Sequence, residues 1–560
     1  MGDAPRVVIL SFIPQYGELT FFIGDKKYVA SGVSPFHKKQ VEYMLKHGAN
    51  GRAINYLKKF NPERLGQKLA KELVGVARLL LASSSEKEVE RLLRVVLRGT
   101  QWAGKAHAVG GYVRDEFMGL DAKDLDIVVS VPGGSEKLTR YLFGLFPGSI
   151  TNPHQMGASY PIWQITFRDD IVLDGEVYKT KGAVIEFADT MKEQFPDDTS
   201  RQRSVQPGTL EEDIERRDFT TNMLLKDLST GEIVDLTGVS KNDIEKGILR
   251  GHPRVSLDKI FSDDPLRMIR LVRFQCKYGW SIPKSVLRTV QRNARRIEIV
   301  SAERIMGELT KVMKIGKLSQ AIRLMKITGL LQYVLPEVQA MVGVKQQKEF
   351  HAEGDVFRHT LAVLRNAPAT VEGQLAALLH DVGKPASQEM VGEAIHFYGH
   401  EEVGAEMASA ILYRLKFDAA TIKKVVSVVR SHMRPYHLVK SDGKAIRKFI
   451  RDLGDEVVDA VLDQAEADEK GSLPVGDDVS VVREKIRKVR ESPVQVKKLP
   501  VLNGREIMSI LGIGQNERDR LPEIGEAGKF LLDLADEYAS HGEELSKGDA
   551  AKALRKRMSL

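Results

Sequence analysis

The chain has 560 residues, enough for roughly three or four domains with separate cores. Apolar content of 42% and charged content of 29% are ordinary globular usage, and no apolar run approaches the roughly 20 residues of a membrane span. The 84 Lys and Arg against 76 Asp and Glu give +8, which permits a polyanionic partner without requiring one; the single cysteine, Cys276, excludes a disulfide framework and any cysteine-built zinc site.

The opening MGDAPRVVILSF lacks a signal-peptide core, so the expected location is cytoplasmic. Residues 1–60 read as an α+β module of unknown role: strand-like RVVILSF, then a hairpin FFIGDKKYVA turning at Gly24-Asp25. A helical pattern follows over 38–60. Residues 61–104 read as a helical linker of two amphipathic helices, the second opening on Ser85 and Glu88 in a capping-box pattern. From 105 to 245 short strands alternate with turns and helix, as in an α+β domain. After about 255 the pattern is helical with no clean strand. Neither an internal repeat nor a low-complexity stretch is present.

The α+β segment opens on HAVGGYVRDEFMGLDAKDLDIVV, residues 107–129. Strand-like AHAV runs into Gly110-Gly111, and Tyr112 to Met118 read as a helix start carrying Arg114 and Asp115. Paired glycines let backbone N–H groups approach a phosphate near a helix N-terminus. Asp124 and Asp126 flank Leu125, so strand alternation predicts both carboxylates on one face. Two adjacent carboxylates repel unless a cation sits between them, and oxygen-only ligation suits Mg²⁺ beside substrate phosphates. Phosphate cradle plus metal pair points to nucleotidyl transfer. PIWQITF (161–167) and GAVIEFAD (182–189) predict further strands, with Glu186 or Asp189 as a candidate third carboxylate, though a structural role is the commoner one for such residues. Residues 190–210 read as a mobile loop.

These motifs resemble the catalytic signature of class II tRNA nucleotidyltransferases and bacterial poly(A) polymerases, within the polymerase-beta superfamily. LEEDIERRDFTTNMLL (210–225) is similar to the RRDFTxN motif of that family, which helps bind the ribose and phosphates of the incoming nucleotide. The resemblance implicates Arg217, Asp218 and Asn222: Asp can accept from a ribose hydroxyl, and Arg can grip phosphate in bidentate fashion. GEIVDLTG (231–238) matches a structural turn of the family. SDDPLRMIRLVRFQCKYGW (262–280) resembles its base-selecting Glu-Asp-x-x-Arg motif. That implies Asp264 and Arg267 as a protein template imitating a Watson–Crick edge, their spacing of three predicting one helical face. Asp263 stands where the family has Glu, a shorter side chain with which to orient the arginine. Arg270 extends the stripe as a nucleotide-binding candidate, with Arg273 beyond it; each is as readily a solvated residue. SAERIMGELTKVM (301–313) matches the following family helix.

A second chemistry begins near residue 350. His359, His380-Asp381, His400, His432 and Asp468, with ALLHDVGKP at 377–385, resemble the HD phosphohydrolase superfamily. Imidazoles with carboxylates ligate transition metals, which lower the pKa of a bound water. One ion or two is left open, and His351, His396 and His437 are lesser candidates. LPVLNGREIMSILGIGQNERDRLPEIGEAGKFLLDL (499–534) resembles the C-terminal segment of HD-containing bacterial tRNA nucleotidyltransferases, with LGIG and IGEAG expected as turns between helices.

The expected architecture is therefore α+β: a polymerase-beta-like head at 105–245, a helical neck with the base-selecting motif at 246–335, an HD body at 336–475 and a helical RNA-binding tail at 476–560. The resemblance implies addition of CCA to tRNA from CTP and ATP, with Mg²⁺ in the head. For the HD body it implies phosphohydrolase activity with Ni²⁺, Mn²⁺ or Co²⁺ on 2′,3′-cyclic phosphates or nucleoside monophosphates. A poly(A) polymerase or a CC-only or A-only enzyme shares the same motifs. A phosphohydrolase with an RNA-binding head, or a noncatalytic RNA-binding protein, would leave one or both constellations unexplained.

Overall fold

The computed structural model describes residues 7–13, 18–23, 26–30, 85–157, 161–194, 204–346, 354–392, 394–472, 478–492, 494, 496, 499–514 and 517–558. The expected helix over 38–60, the first linker helix and His351 lie outside them. The chain divides into two compact units, one of residues 1–267 with 278–289 and one of residues 268–277 with 290–560.

In the first unit, Val7–Ile13, Glu18–Ile23 and Lys26–Ala30 form a three-stranded antiparallel sheet. Ile23 pairs with Lys26, while the expected turn residues Gly24 and Asp25 lie outside the described residues. The head is a seven-stranded mixed sheet in the order Ile233–Val234, Leu225–Asp227, Ala106–Val109, Asp126–Val129, Val184–Asp189, Ile162–Thr166, His154–Met156. All neighbours are antiparallel except Asp126–Val129 and Val184–Asp189. Alternation explains why the sheet forms: Ile185 and Phe187 are buried while Val184 is exposed. The short run Ile127-Val128-Val129 is buried throughout, as expected of a central strand.

The helix Ser85–Leu97 is tied to this head by a buried network. Glu90 accepts from Tyr112 Oη at 2.9 Å and pairs with Lys226 at 2.5 Å, and Lys226 also reaches Glu116 at 2.7 Å. Glu88, expected to cap that helix, instead accepts from Arg91 at 2.7 Å. The expected loop at 190–210 is also corrected at its flanks: Met191–Gln194 and Ser204–Pro207 pair as an antiparallel hairpin. Prolines and polar residues read as loop there because the ladder is only four residues long.

The second unit is almost wholly helical. Val356–Asn366, Val371–Leu379, His400–Arg414, Ala419–Ser431 and Asp455–Gly471 pack around one another. Val428, Phe449, Val461, Leu462 and Ile486 are among the side chains filling a core beside them. A second small core (Leu502, Leu511, Leu531, Leu554) gathers the tail helices Gly504–Leu511, Leu521–Ser540 and Lys547–Arg557. The tail is joined to the body through Arg451, which pairs with Asp533 and Asp536. Two expectations fail here. Glu389–Val391 and Ala394–His396 form a hairpin, its strands too short to display a period-two pattern. The IGEAG stretch is no turn but lies inside Leu521–Ser540, where Gly525 meets no neighbour and costs only helix propensity. Gly512, in the left-handed region at φ 65°, does end its helix. Among the described residues no helix is long and apolar enough to cross a membrane.

Candidate active sites

Strand register assembles the head site. Val109 pairs with Asp126, so the Gly110-Gly111 turn leaves its strand at the point where the Asp126 strand begins. On the other side Glu186 pairs with Asp126. Asp126 is open to water yet crowded, and its carboxyl is pushed up to about 6 by burial and then by the like charge of Glu186; Arg217 opposes the shift and Asp124 adds to it. Three carboxylates thus converge with one cation nearby. Of the two candidates for a third carboxylate, Glu186 stands at the site. Asp189 accepts the backbone N–H groups of Gly133 and Ser135 at the start of the helix Gly134–Leu145, a structural role.

Asp124 departs from the expected geometry. It precedes the strand, exposed, with φ 59°. The loop conformation, not strand alternation, sets its position, and Asp tolerates that region better than most residues.

The RRDFTTN segment lies against the glycine turn. A Cβ on Gly110 would come within 3.5 Å of Arg217 Nη1, and Gly110 has φ 70°. Arg217 donates to Asp213 at 2.9 Å, and burial of Asp213 is outweighed by Arg217 and Arg216, which hold its carboxyl low. Arg114 is buried, donates to Asn222 Oδ1 and to Asp115 (2.8 Å), and lies over the Tyr278 ring. Asn222 in turn donates to Asp218 at 2.8 Å. Arg114, Asn222 and Asp218 are therefore one linked buried network rather than separate ligands.

Asp264 and Arg267 do not share a helical face. Asp264 is extended (φ −144°, ψ 96°) at the end of Leu257–Asp263, and Arg267 lies in the first turn of Leu266–Tyr278. Pro265 between them breaks the helix that the spacing of three presumed. Arg267 is buried and donates to the carbonyls of Ile260 (3.0 Å) and Arg216 (2.6 Å), which fastens it to the residue beside Arg217. Asp263 pairs with Lys259 at 2.8 Å. Arg270 and Arg273 belong to the second unit. There Arg273 bonds Glu308, and Arg270 stands 3.9 Å from the same carboxylate.

The HD candidates come together from five helices or their ends. Two groups have ligand atoms close enough to share an ion: His359, His380 and Asp468, and Asp381, His400 and His432. Asp381 joins them, with Oδ2 3.2 Å from His380 Nε2 and Oδ1 3.5 Å from His400 Nε2. The Nδ1 atoms of His380, His400 and His432 lie 3.0, 2.9 and 2.6 Å from the carbonyls of Ala377, Phe397 and Val429. A carbonyl can only accept, so each Nδ1 carries the hydrogen and each Nε2 presents a bare lone pair. In the neutral rings the lone pairs of His400 and His432 face one another at 3.2 Å, and His380 Nε2 lies 3.3 Å from His359 Nε2. Asp381 Oδ2 and Asp468 Oδ1 are buried within the cluster, 2.8 Å from Lys384 Nζ and 2.9 Å from His359 Nε2. Facing imidazole lone pairs repel, and a divalent cation held by them and by the buried carboxylates relieves that repulsion, so the residues fit one. Burial holds His432 neutral, down at about 3, leaving no proton to displace. Burial would raise Asp381, but His380 and Lys384 outweigh it and hold it well below the carboxylate range.

Three neighbours escaped the sequence reading. Tyr436 donates to Asp468 Oδ2 at 2.8 Å, orienting that carboxylate. Lys384 pairs with Asp381 Oδ2 at 2.8 Å, and Gln346 accepts from Lys384 at 2.7 Å. Lys384 was visible inside the HDVGKP stretch; Gln346 and Tyr436 carry no motif signal. The lesser candidates stay outside the cluster: His396 stacks on Tyr398, and His437 is exposed.

Comparison with known proteins places family resemblance on the same segments. Residues 106–250 match the poly A polymerase head domain, 279–341 a probable RNA and SrmB-binding site of polymerase A, and 356–461 the HD domain. The CC-adding tRNA nucleotidyltransferase of Thermus thermophilus is 32% identical over 338 residues, 58% of this chain and 73% of that enzyme. The multifunctional CCA protein of Neisseria gonorrhoeae is 30% identical over 335 residues, 59% of this chain and 74% of that protein. Among solved structures, the fold is similar to that of the Bacillus stearothermophilus CCA-adding enzyme in complex with CTP. The TM-score is 0.57 at 20% identity, with 85% of this chain and 98% of that one covered. A CCA-adding enzyme with ATP gives 0.52 at 18% identity, covering 84% and 96%.

Proposed function

The chain belongs to the tRNA nucleotidyltransferase family, and we propose that its head adds CMP and AMP from CTP and ATP to tRNA 3′ ends to build CCA. The observation that carries this reading is the register that sets Asp126 between the Gly110-Gly111 turn and Glu186, with Arg217 alongside. The glycine turn receives triphosphate oxygens, Arg217 and the Arg114–Asn222–Asp218 network hold phosphate and ribose, and Asp264 with Arg267 meets the base. Asp124 and Asp126, with Glu186, would hold Mg²⁺, which when bound neutralises the triphosphate and activates the RNA 3′-hydroxyl. The protein's own contribution is positioning and electrostatics, as in other phosphoryl-group transfers. CC-only addition is the second reading, favoured by the Thermus relative's name.

For the HD body the reading is a phosphohydrolase using a transition metal such as Ni²⁺, Mn²⁺ or Co²⁺. His359, His380, Asp381, His400, His432 and Asp468 would hold the metal, which when bound supplies a water of lowered pKa. Imidazole-rich ligation separates this site from the oxygen-only head.

One paired experiment tests both. Asp126→Ala should lose nucleotide addition while retaining tRNA binding, which depends on basic surface rather than on the carboxylates. His380→Ala with Asp381→Ala should lose hydrolysis of 2′,3′-cyclic nucleotides across a metal panel and keep nucleotide addition. Near-normal addition by the first variant would sink the head assignment. Absence of hydrolysis from the unaltered protein with every metal would reduce the HD body to a scaffold.

A further inference from the structure

We propose that Gln346 is a phosphate-binding residue of the HD site, its side-chain amide donating to an oxygen of a phosphoryl group held beside Lys384 and Asp381. The inference rests on the phosphohydrolase reading of that site and assigns it a contact that lies upstream of the matched HD segment, which begins at residue 356.

The position of Gln346 is fixed by the helix that carries His359. Asp355 caps that helix through Arg358 N at 2.7 Å, and its other oxygen accepts from Gly343 N at 3.1 Å. Val356 N donates to Val344 O, and Lys345 bridges to Asp355. The short extended segment leading to Gln346 is thereby bound to the start of a ligand-bearing helix.

The amide's orientation is fixed too. Gln346 Oε1 accepts from Lys384 Nζ at 2.7 Å. An ammonium group can only donate, so Nε2 cannot take that place. Lys384 in turn lies 2.8 Å from Asp381 Oδ2, the carboxylate that lies between His380 and His400. Gln346 is 5% exposed, and its Nε2 is buried with no hydrogen-bond partner among the described residues. A buried amide donor without an acceptor is costly, and its persistence beside a reactive cluster calls for an acceptor brought by something else.

That acceptor must offer a lone pair. A metal ion cannot accept a hydrogen bond, and an apolar group would leave the amide unsatisfied. A phosphoryl group has oxygens to spare after meeting metals, and the Lys384 ammonium beside the amide favours an anion. Gln346 is closed off from water in this structure, as are His359, His380 and His432 at 1% exposed each.

The test is equilibrium binding of inorganic phosphate to the Mn²⁺-loaded full-length protein, with the His380→Ala, Asp381→Ala double variant as the blank that removes any phosphate bound at the head. Gln346→Glu keeps the acceptor for Lys384 and deletes the N–H donor. Gln346→Met deletes the donor without adding charge. Both should weaken phosphate binding by about 10- to 100-fold, the effect of a hydrogen bond to a charged group, with Mn²⁺ affinity held within about twofold. Retained Mn²⁺ affinity also reports that the site is folded. If either variant binds phosphate as tightly as the unaltered protein, the inference is overturned and the HD reading survives. If the unaltered protein binds no more phosphate than the blank, and hydrolyses nothing, both are overturned.

Discussion

Asp126, proposed above as a Mg²⁺ ligand of the head, also has a distinctive titration. Burial and the neighbouring Glu186 push its carboxyl up to about 6. In the folded, metal-free head it is therefore protonated below about 6, whereas in an unfolded chain it stays ionised down to about 3.9. Between those values the folded state holds the extra proton, so ionisation above pH 6 works against the metal-free fold and protonation relieves it. Cation binding needs the ionised form. The affinity of the head for Mg²⁺ should accordingly fall by up to about tenfold per pH unit below that midpoint. Removing the like charge with Glu186→Gln should move the Asp126 midpoint down towards the ordinary carboxylate range, as read by NMR titration of the metal-free protein. A midpoint that does not move would mean that Glu186 is not the neighbour described.

Arg267 offers the second test at this scale. Its guanidinium is anchored to backbone carbonyls on both sides, one of them beside Arg217. Arg267→Ala should lower discrimination against GTP and UTP, along with C and A addition, by roughly 1–3 kcal/mol by analogy with bidentate base readout. Unchanged selectivity among the four nucleotides would remove this residue from the template.

Among the elements, the close approach of the HDVGKP turn to the helix His400–Arg414 is the most demanding. A Cβ at Gly383 would lie 2.2 Å from His400 O and 2.6 Å from Gly404 N, both backbone atoms that cannot swing aside. Gly383→Ala should destabilise the second unit by about 1–3 kcal/mol or more, since overpacking against backbone has no cheap relaxation. Because Asp381 and His400 flank that contact, metal affinity should fall with it. An alanine variant with unchanged thermal unfolding and metal affinity would contradict the packing described.

The same elements mark how far the sequence could be read. Residues close along the chain were legible: the glycine turn, Asp126 and the HD dipeptide, whose spacing alone implies shared chemistry. Glu186 was visible as an alternating strand residue, but its pairing with Asp126 is a matter of register, and no local pattern encodes register between distant strands. Asp124 was placed correctly near its partner for the wrong reason, since a loop conformation sets it there. Pro265, directly before the helix Leu266–Tyr278, separates an extended Asp264 from a helical Arg267, so a spacing of three does not by itself put two residues on one helical face. Gln346 left no trace, for a lone glutamine acquires meaning only from the ammonium it meets in the fold.

At the scale of the whole molecule, two chemistries occupy two compact units, each with a core and a ligand set suited to a different class of cation. The head is proposed to bind nucleotide through oxygen and guanidinium contacts, and the body presents imidazole nitrogens with two buried carboxylates. The central claim is that the head completes tRNA 3′ ends. The most direct measurement incubates the purified protein and Mg²⁺ with tRNA transcripts ending before CCA, at CC and at CCA, supplying each nucleotide separately. The account predicts that CTP extends the first transcript by two residues and stops, that ATP extends the second by one, and that no nucleotide extends the third. Long tails from ATP on any transcript, or failure of ATP to extend the CC-ended one, would contradict it.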